Sequence, residues 1–331
     1  MGDLAVSFQT RQSQARIKTQ LNRLGNELAT GITQDLRGAT GGDLGALAGI
    51  ENALGTLKAY KVAANEASLT VSTVQRVLET VQQTTSEIGL SLLQASEFGQ
   101  TALVQTTAAD ARARFATVVS VLNTQVADRA ILGGTDTSGA VLQDSETMLA
   151  ALQVAIAAET TAAGVESVVE AWFDTPGGGF ETSGYLGSTT ELAPFRVGPG
   201  EEAALTLTAD DQDLRDLMKA YAMAALVADG ALEPDAGERA ALVETSATRM
   251  ITGDKTLAEM RAGIGLIEGR IDAATARNSA ETSALELARN KIIAIDPYRT
   301  ATELSEVQTQ LEMLYTVTAR LSRLSLTEYL R

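Results

Sequence analysis

The stretch IENALGTLKAYKVAANEASLTVSTVQRVLETVQQTTSEIGLSL, residues 50–92, carries two interleaved columns of mostly apolar side chains. Ile50, Leu57, Ala64, Val71, Leu78, Thr85 and Leu92 recur every seven residues, and Tyr60, Ala67, Val74, Val81 and Ile88 do the same. A strict seven-residue repeat keeps one seam turned toward a partner helix, so the stretch reads as a coiled-coil helix. The C-terminal half offers a partner. Leu257, Met260, Ile264, Ile267, Ile271 and Ala274 step by three and four, and the frame continues through Asn278 and Glu281 to Leu285, Ala288, Ile292 and Ile295. A polar seam residue such as Asn278 costs stability and can fix register.

Both chain ends repeat the theme. Asp296 and Pro297 interrupt the long pattern. Asp296 suits an N-cap and Pro297 the first position of a final helix. On that helix Leu304, Val307, Leu311, Leu314, Leu321 and Leu324 form an apolar stripe. Near the N-terminus Ile17, Leu21, Leu24 and Leu28 make one face of a helix that Gly31 can stop. A shorter helix is expected over about residues 104–131, with Phe115, Val118 and Leu122 inward, and another around residues 144–172. Residues 173–208 hold three of the five prolines and many glycines, and "FRV" and "ALTLT" read there as strands.

Composition excludes several chemistries. The 331 residues include no histidine and no cysteine, which removes imidazole catalysis, thiolate nucleophiles, the usual zinc sites and disulfides. The net charge of −16 makes nucleic acid and anionic membranes poor partners. Residues 138–215 hold 13 acidic side chains against Arg196 and Arg215, which suits a solvated outer segment. The start, MGDLAVSFQTRQSQAR, has no apolar core of a cleaved signal, and no run of about 18 apolar residues could span a bilayer. By these rules alone the chain reads as cytosolic.

Apparent ligand motifs have simpler readings. "GIGLIEG" at 263–269 lacks the dinucleotide spacing and a preceding strand, and reads as small residues on a packed helix. "TGDKT" at 252–256 lacks the upstream turn of a phosphate loop. "GGTDTSG" at 133–139 reads as a turn. "ADDQD" at 209–213 reads as a helix start, where acids suit the dipole. No catalytic set, cofactor site or metal site is expected.

Four segments carry a family likeness. "TELSEVQTQLEMLYTVTARLSRLSLTEYL" (302–330) resembles the terminal helix of the flagellin superfamily, and its "LSL..YL" ending is more similar to hook–filament junction members than to filament flagellin. "QLNRLGNELATG" (20–31) is similar to the family's first helix and following turn. "ANEASLTVSTVQRVLETVQQTTSEI" (64–88) resembles its next long helix, and "ILGGTDTSG" (131–139) its glycine-rich turn.

The resemblance implies a mainly α protein, a long antiparallel helical coiled-coil rod built from both chain ends with a small β-containing inserted domain. Residues 1–40 with 296–331 would be the terminal coiled coil, residues 41–140 with 210–295 the rod, and residues 141–209 the acidic outermost insert. Ile17, Leu21, Leu24 and Leu28 would meet Leu304, Val307, Leu311, Leu314, Leu321 and Leu324 as the assembly seam, first within the chain and then with neighbouring subunits. The resemblance further implies a structural, non-catalytic part of the bacterial flagellum at the hook–filament junction, with no cofactor. Its implied partners are copies of itself in a ring, the other junction protein, flagellin, an export chaperone and the flagellar export apparatus, with no nucleic acid and no membrane. Export would use the flagellar type III channel and an uncleaved N-terminal signal. Filament flagellin is the alternative within the family, and a cytosolic coiled-coil interaction protein the alternative outside it.

Overall fold

The computed structural model describes residues 2–329, with side chains described outside 1–4, 6, 7 and 321–331. The protein is mainly α. In chain order the elements are α1 (Gly2–Thr30), a single helical turn α2 (Leu36–Ala39), α3 (Gly45–Phe98), α4 (Thr101–Leu122), strands β1 (Gln125–Val126) and β2 (Arg129–Ala130), α5 (Ser145–Ala155) and α6 (Ala162–Asp174). Strands β3 (Phe195–Gly198) and β4 (Glu201–Ala203) follow, then α7 (Gln212–Ala228), α8 (Ala236–Ile293) and α9 (Pro297–Tyr329). They form two compact units, residues 1–58 with 279–331, and residues 59–278.

The second unit is built around α7. Leu217 through Val227 are buried without interruption, the pattern of a helix enclosed on all sides. Tyr221 stacks on Phe115 of α4, with ring centroids 6.2 Å apart, and its hydroxyl lies 3.2 Å from Thr85 of α3. Ser246 of α8 donates to the Ala220 carbonyl at 2.7 Å, and Gln105 of α4 donates to that of Ala228 at 2.9 Å. Thr85, the polar member of the first seven-residue column, is thus spent on its own helix, at the Val81 carbonyl, and on α7.

Helices α3 and α8 run antiparallel within this unit. Gln75 donates to the Arg261 carbonyl (3.2 Å), Arg261 to the Gln82 side chain (2.7 Å) and Gln82 to the Asp254 carbonyl (3.4 Å). The column residues Ala64, Ala67, Val71, Val74, Leu78, Val81, Ile88 and Leu92 of α3 are all buried, as are Leu257, Ile264, Ile271 and Ala274 of α8. Asn278 is buried too, and its Nδ2 donates to the Val197 carbonyl of β3 at 2.7 Å, so the polar residue of the column is tied to the β segment. The three glycines of "GIGLIEG" lie inside α8 and meet no neighbouring atom within 4 Å, so they face open space and are not packed.

Two local expectations are corrected. The helix expected to reach residue 131 ends at Leu122, because the Asn123 side chain accepts from the Val141 and Leu142 amides (2.8 and 2.7 Å) and donates to the Leu142 carbonyl. Residues 125–130 turn back as a hairpin, with Ala127 and Asp128 both at positive φ. The strand expected at "ALTLT" lies upstream, at Glu201–Ala203. Gly200, at φ 71°, closes a tight turn that pairs Gly198 with Glu201 at once. The ladder ends at Phe195–Ala203 because Pro194 has no amide to extend it.

Candidate assembly surface

The terminal unit pairs α1 with α9. Gly31 leaves α1 at φ 73°, which a β-carbon would disfavour, and the chain turns. That turn is bonded to the one between α8 and α9. Thr33 donates its amide to the Ile293 carbonyl (2.9 Å), and Ile295 donates to that of Gly31 (3.1 Å). Glu27 sits beneath, buried, its carboxylate accepting from the Gln34 amide at 2.8 Å and facing Arg23 at 3.6 Å. Asp296 caps α9, accepting from the Tyr298 and Arg299 amides at 3.0 and 3.3 Å, and Pro297 takes its first position. From this joint the helices run antiparallel. Tyr315 meets Gln14 and Lys18, whose hydrogen bonding and charge hold its hydroxyl below the usual tyrosine range.

The seam residues are placed as follows. Leu24 is 1% exposed and Val307 4%. Ile17, Leu21, Leu304, Leu311 and Leu314 are half-buried, and Leu28 is exposed. The side chains of Leu321 and Leu324 lie outside the described residues. Sequence reading missed Glu27 and Thr300, both buried here, because a polar residue leaves no mark in an apolar pattern. It also missed the outward stripe of α9, where Met313 and Val317 are more than half exposed.

No described helix is long and apolar enough to cross a membrane. Residues 250–330 match the family model of the bacterial flagellin C-terminal helical region. No curated protein matches the chain. Among solved structures, the chain is similar to one described as a putative flagellar hook-associated protein from Vibrio parahaemolyticus, at 12% identity and a TM-score of 0.55. The likeness covers 74% of this chain and 94% of that one. The class so defined is a mainly helical protein with a flagellin-type C-terminal region. Its fold is shared with a protein described as hook-associated.

Proposed function

We propose that the protein is a structural, non-catalytic component of the bacterial flagellum, an adaptor at the hook–filament junction on which the filament assembles. The observation that carries the reading is the joined pair α1–α9, whose second helix lies within the flagellin-type region. Apart from Leu24 and Val307, the described seam residues are half-buried or exposed within one chain, which leaves apolar surface for neighbouring subunits. On this reading residues 1–40 with 296–331 act as the assembling domain. Copies of the chain, the other junction protein and flagellin are the partners. The chain leaves the cell through the flagellar export channel with the help of a chaperone, and no signal peptide is cleaved.

A strain lacking the gene tests this: hooks without filaments are expected, and intact flagella would refute the role. Filament flagellin is the second reading, favoured by the flagellin-type region itself. Antibody labelling separates the two. A junction protein labels one band at the filament base, and a flagellin labels the filament along its length.

A further inference from the structure

Arg239 is a buried charge that nothing in its own chain answers. It shares the inward face of α8 with Leu242, Val243, Ser246 and Met250, and is 8% exposed. Among the described residues its guanidinium makes no hydrogen bond and no ion pair. The Nε is sealed from solvent without an acceptor, and the two terminal nitrogens, equally without one, reach the surface. The acids nearest to it in sequence are engaged elsewhere. Asp235 accepts from the Gly237 and Glu238 amides, and Glu238 accepts from the Ala162 amide at 2.6 Å. A guanidinium buried unpaired weakens the fold that holds it, so its terminal nitrogens call for an acceptor from outside.

Its neighbourhood follows from the helix register. Gly89 of α3 packs so closely on α8 that a β-carbon there would stand 3.3 Å from Met250. The two helices are antiparallel, so the step from Met250 back to Arg239 matches the step from Gly89 on to Gln100, and Arg239 comes level with the turn between α3 and α4. That turn opens α4 without a cap. The Gln100 side chain makes no bond to the helix and the first turn holds no acid, which leaves the positive end of a 22-residue helix unanswered. Just inside α4, Gln105 donates to the Ala228 carbonyl at the end of α7, while its Oε1 is buried without a donor. Phe98, which ends α3, is 69% exposed, and Leu103 is 39% exposed. One end of the second unit thus gathers a cation without an acceptor, an amide oxygen without a donor and two apolar side chains in water.

We propose that this end binds an acidic peptide segment of a partner protein. A Glu or Asp carboxylate of the segment takes the terminal nitrogens of Arg239 and the positive end of α4. A backbone N–H of the segment meets the Gln105 Oε1, and an apolar residue beside the acid covers Phe98 and Leu103. A free anion brings acceptors alone and leaves Gln105 and the apolar pair as they are, whereas a peptide satisfies all three. The proposal is independent of where the protein stands in the flagellum.

The test is a nuclear magnetic resonance titration of the ¹⁵N-labelled full chain, read at the Arg239 Nε–H and the Gln105 side-chain amide. The probes are acetyl-Leu-Glu-Leu-amide, its Leu-Gln-Leu counterpart and sodium acetate. A saturable shift of both signals by the Glu peptide is expected, with the Gln peptide at least about tenfold weaker and acetate weaker still. Acetate acting as strongly as the Glu peptide would mean a site for free anions, and no shift with any probe would mean a guanidinium that is only hydrated; either overturns the proposal. Phe98→Ala changes an exposed residue and should weaken the Glu peptide several-fold with an unchanged circular dichroism spectrum. Arg239→Met, apolar and of similar reach, should abolish the shift at Gln105. Undiminished binding in either variant would refute the contact assigned to that residue.

Discussion

Lys219 is a charge in the wrong place by composition, 2% exposed on a helix whose residues 217–227 are all buried. It survives there because its ammonium meets Asp174 of α6 at 2.6 Å and Asp216 one turn before it. Burial opposes ionisation of Asp174, but the hydrogen bonds from Lys219 and Gln212 outweigh it, and the carboxyl sits below its ordinary range. Only the lysine end of this pair is buried, Asp174 being 37% exposed, and a charge left buried with fewer partners costs more than the same site filled by an apolar side chain. Asp174→Ala should lower stability by about 2 kcal/mol in urea unfolding, whereas Lys219→Met should fall within about 1 kcal/mol of the parent. A lowered carboxyl pKa gives stability that is present above the unfolded value and lost as pH falls through the folded one. Asp174 thus weakens the unit below about pH 4. Asp210 and Asp213, which burial raises, act in the opposite sense. At the alkaline end, burial pushes the Tyr221 hydroxyl up to about 12. The folded protein then keeps a proton that the unfolded chain releases near pH 10, so stability declines from about pH 10 upward. Tyr221→Phe should flatten that decline in a pH series of thermal melts, at a cost of roughly 1 kcal/mol at neutral pH for the bond to Thr85. Neither Lys219 nor Tyr221 was legible in the sequence. Local pattern reveals faces, and these two are defined by partners 45 and 136 residues away.

At the scale of elements, what was legible is what a single segment decides by itself. The seven-residue columns, the Asp296–Pro297 start and the Gly31 stop each rest on neighbouring residues, and the structure shows a helix or a boundary at each. The strand at 201–203 and the end of α4 depend on a turn and on a remote backbone, and there local reading slipped. The joint between the two crossovers is of the second kind. It ties Gly31 and Thr33 to Ile293 and Ile295, and no pattern joins residues so far apart. Val307→Asp places an unpaired charge at the best-buried α9 seam position among the described residues. It should cost about 2–4 kcal/mol in the α1–α9 pairing while leaving the melting of the other unit unchanged. Loss of motility with retained unit-two melting, followed by Trp172 fluorescence, is the expected pair of results. Wild-type swimming would speak against the seam as an assembly element.

Across the whole molecule the two units differ in how they hold themselves. In α7 eleven consecutive residues, Leu217 to Val227, are buried, while among the described residues α1 and α9 each bury few side chains and leave Phe8, Met313 and Val317 in water. Local stability follows buried contact. Amide exchange on the free protein should therefore be slowest across residues 217–227 and markedly faster across 8–23 and 304–317. Equal protection in both would show that the terminal pair needs no neighbour. The enclosure of α7 also fixes a folding order. The segment AYAMAALVA, 220–228, finds its walls in α4 and α3 upstream and in Ser246 and its helix downstream. Until residues beyond about 246 arrive, a growing or threading chain carries an apolar strip with one side bare, a state prone to aggregate. Whatever meets this chain before it is complete has to shield that strip, and a fragment ending at residue 235 should sediment with the insoluble fraction while one ending at 278 stays in solution.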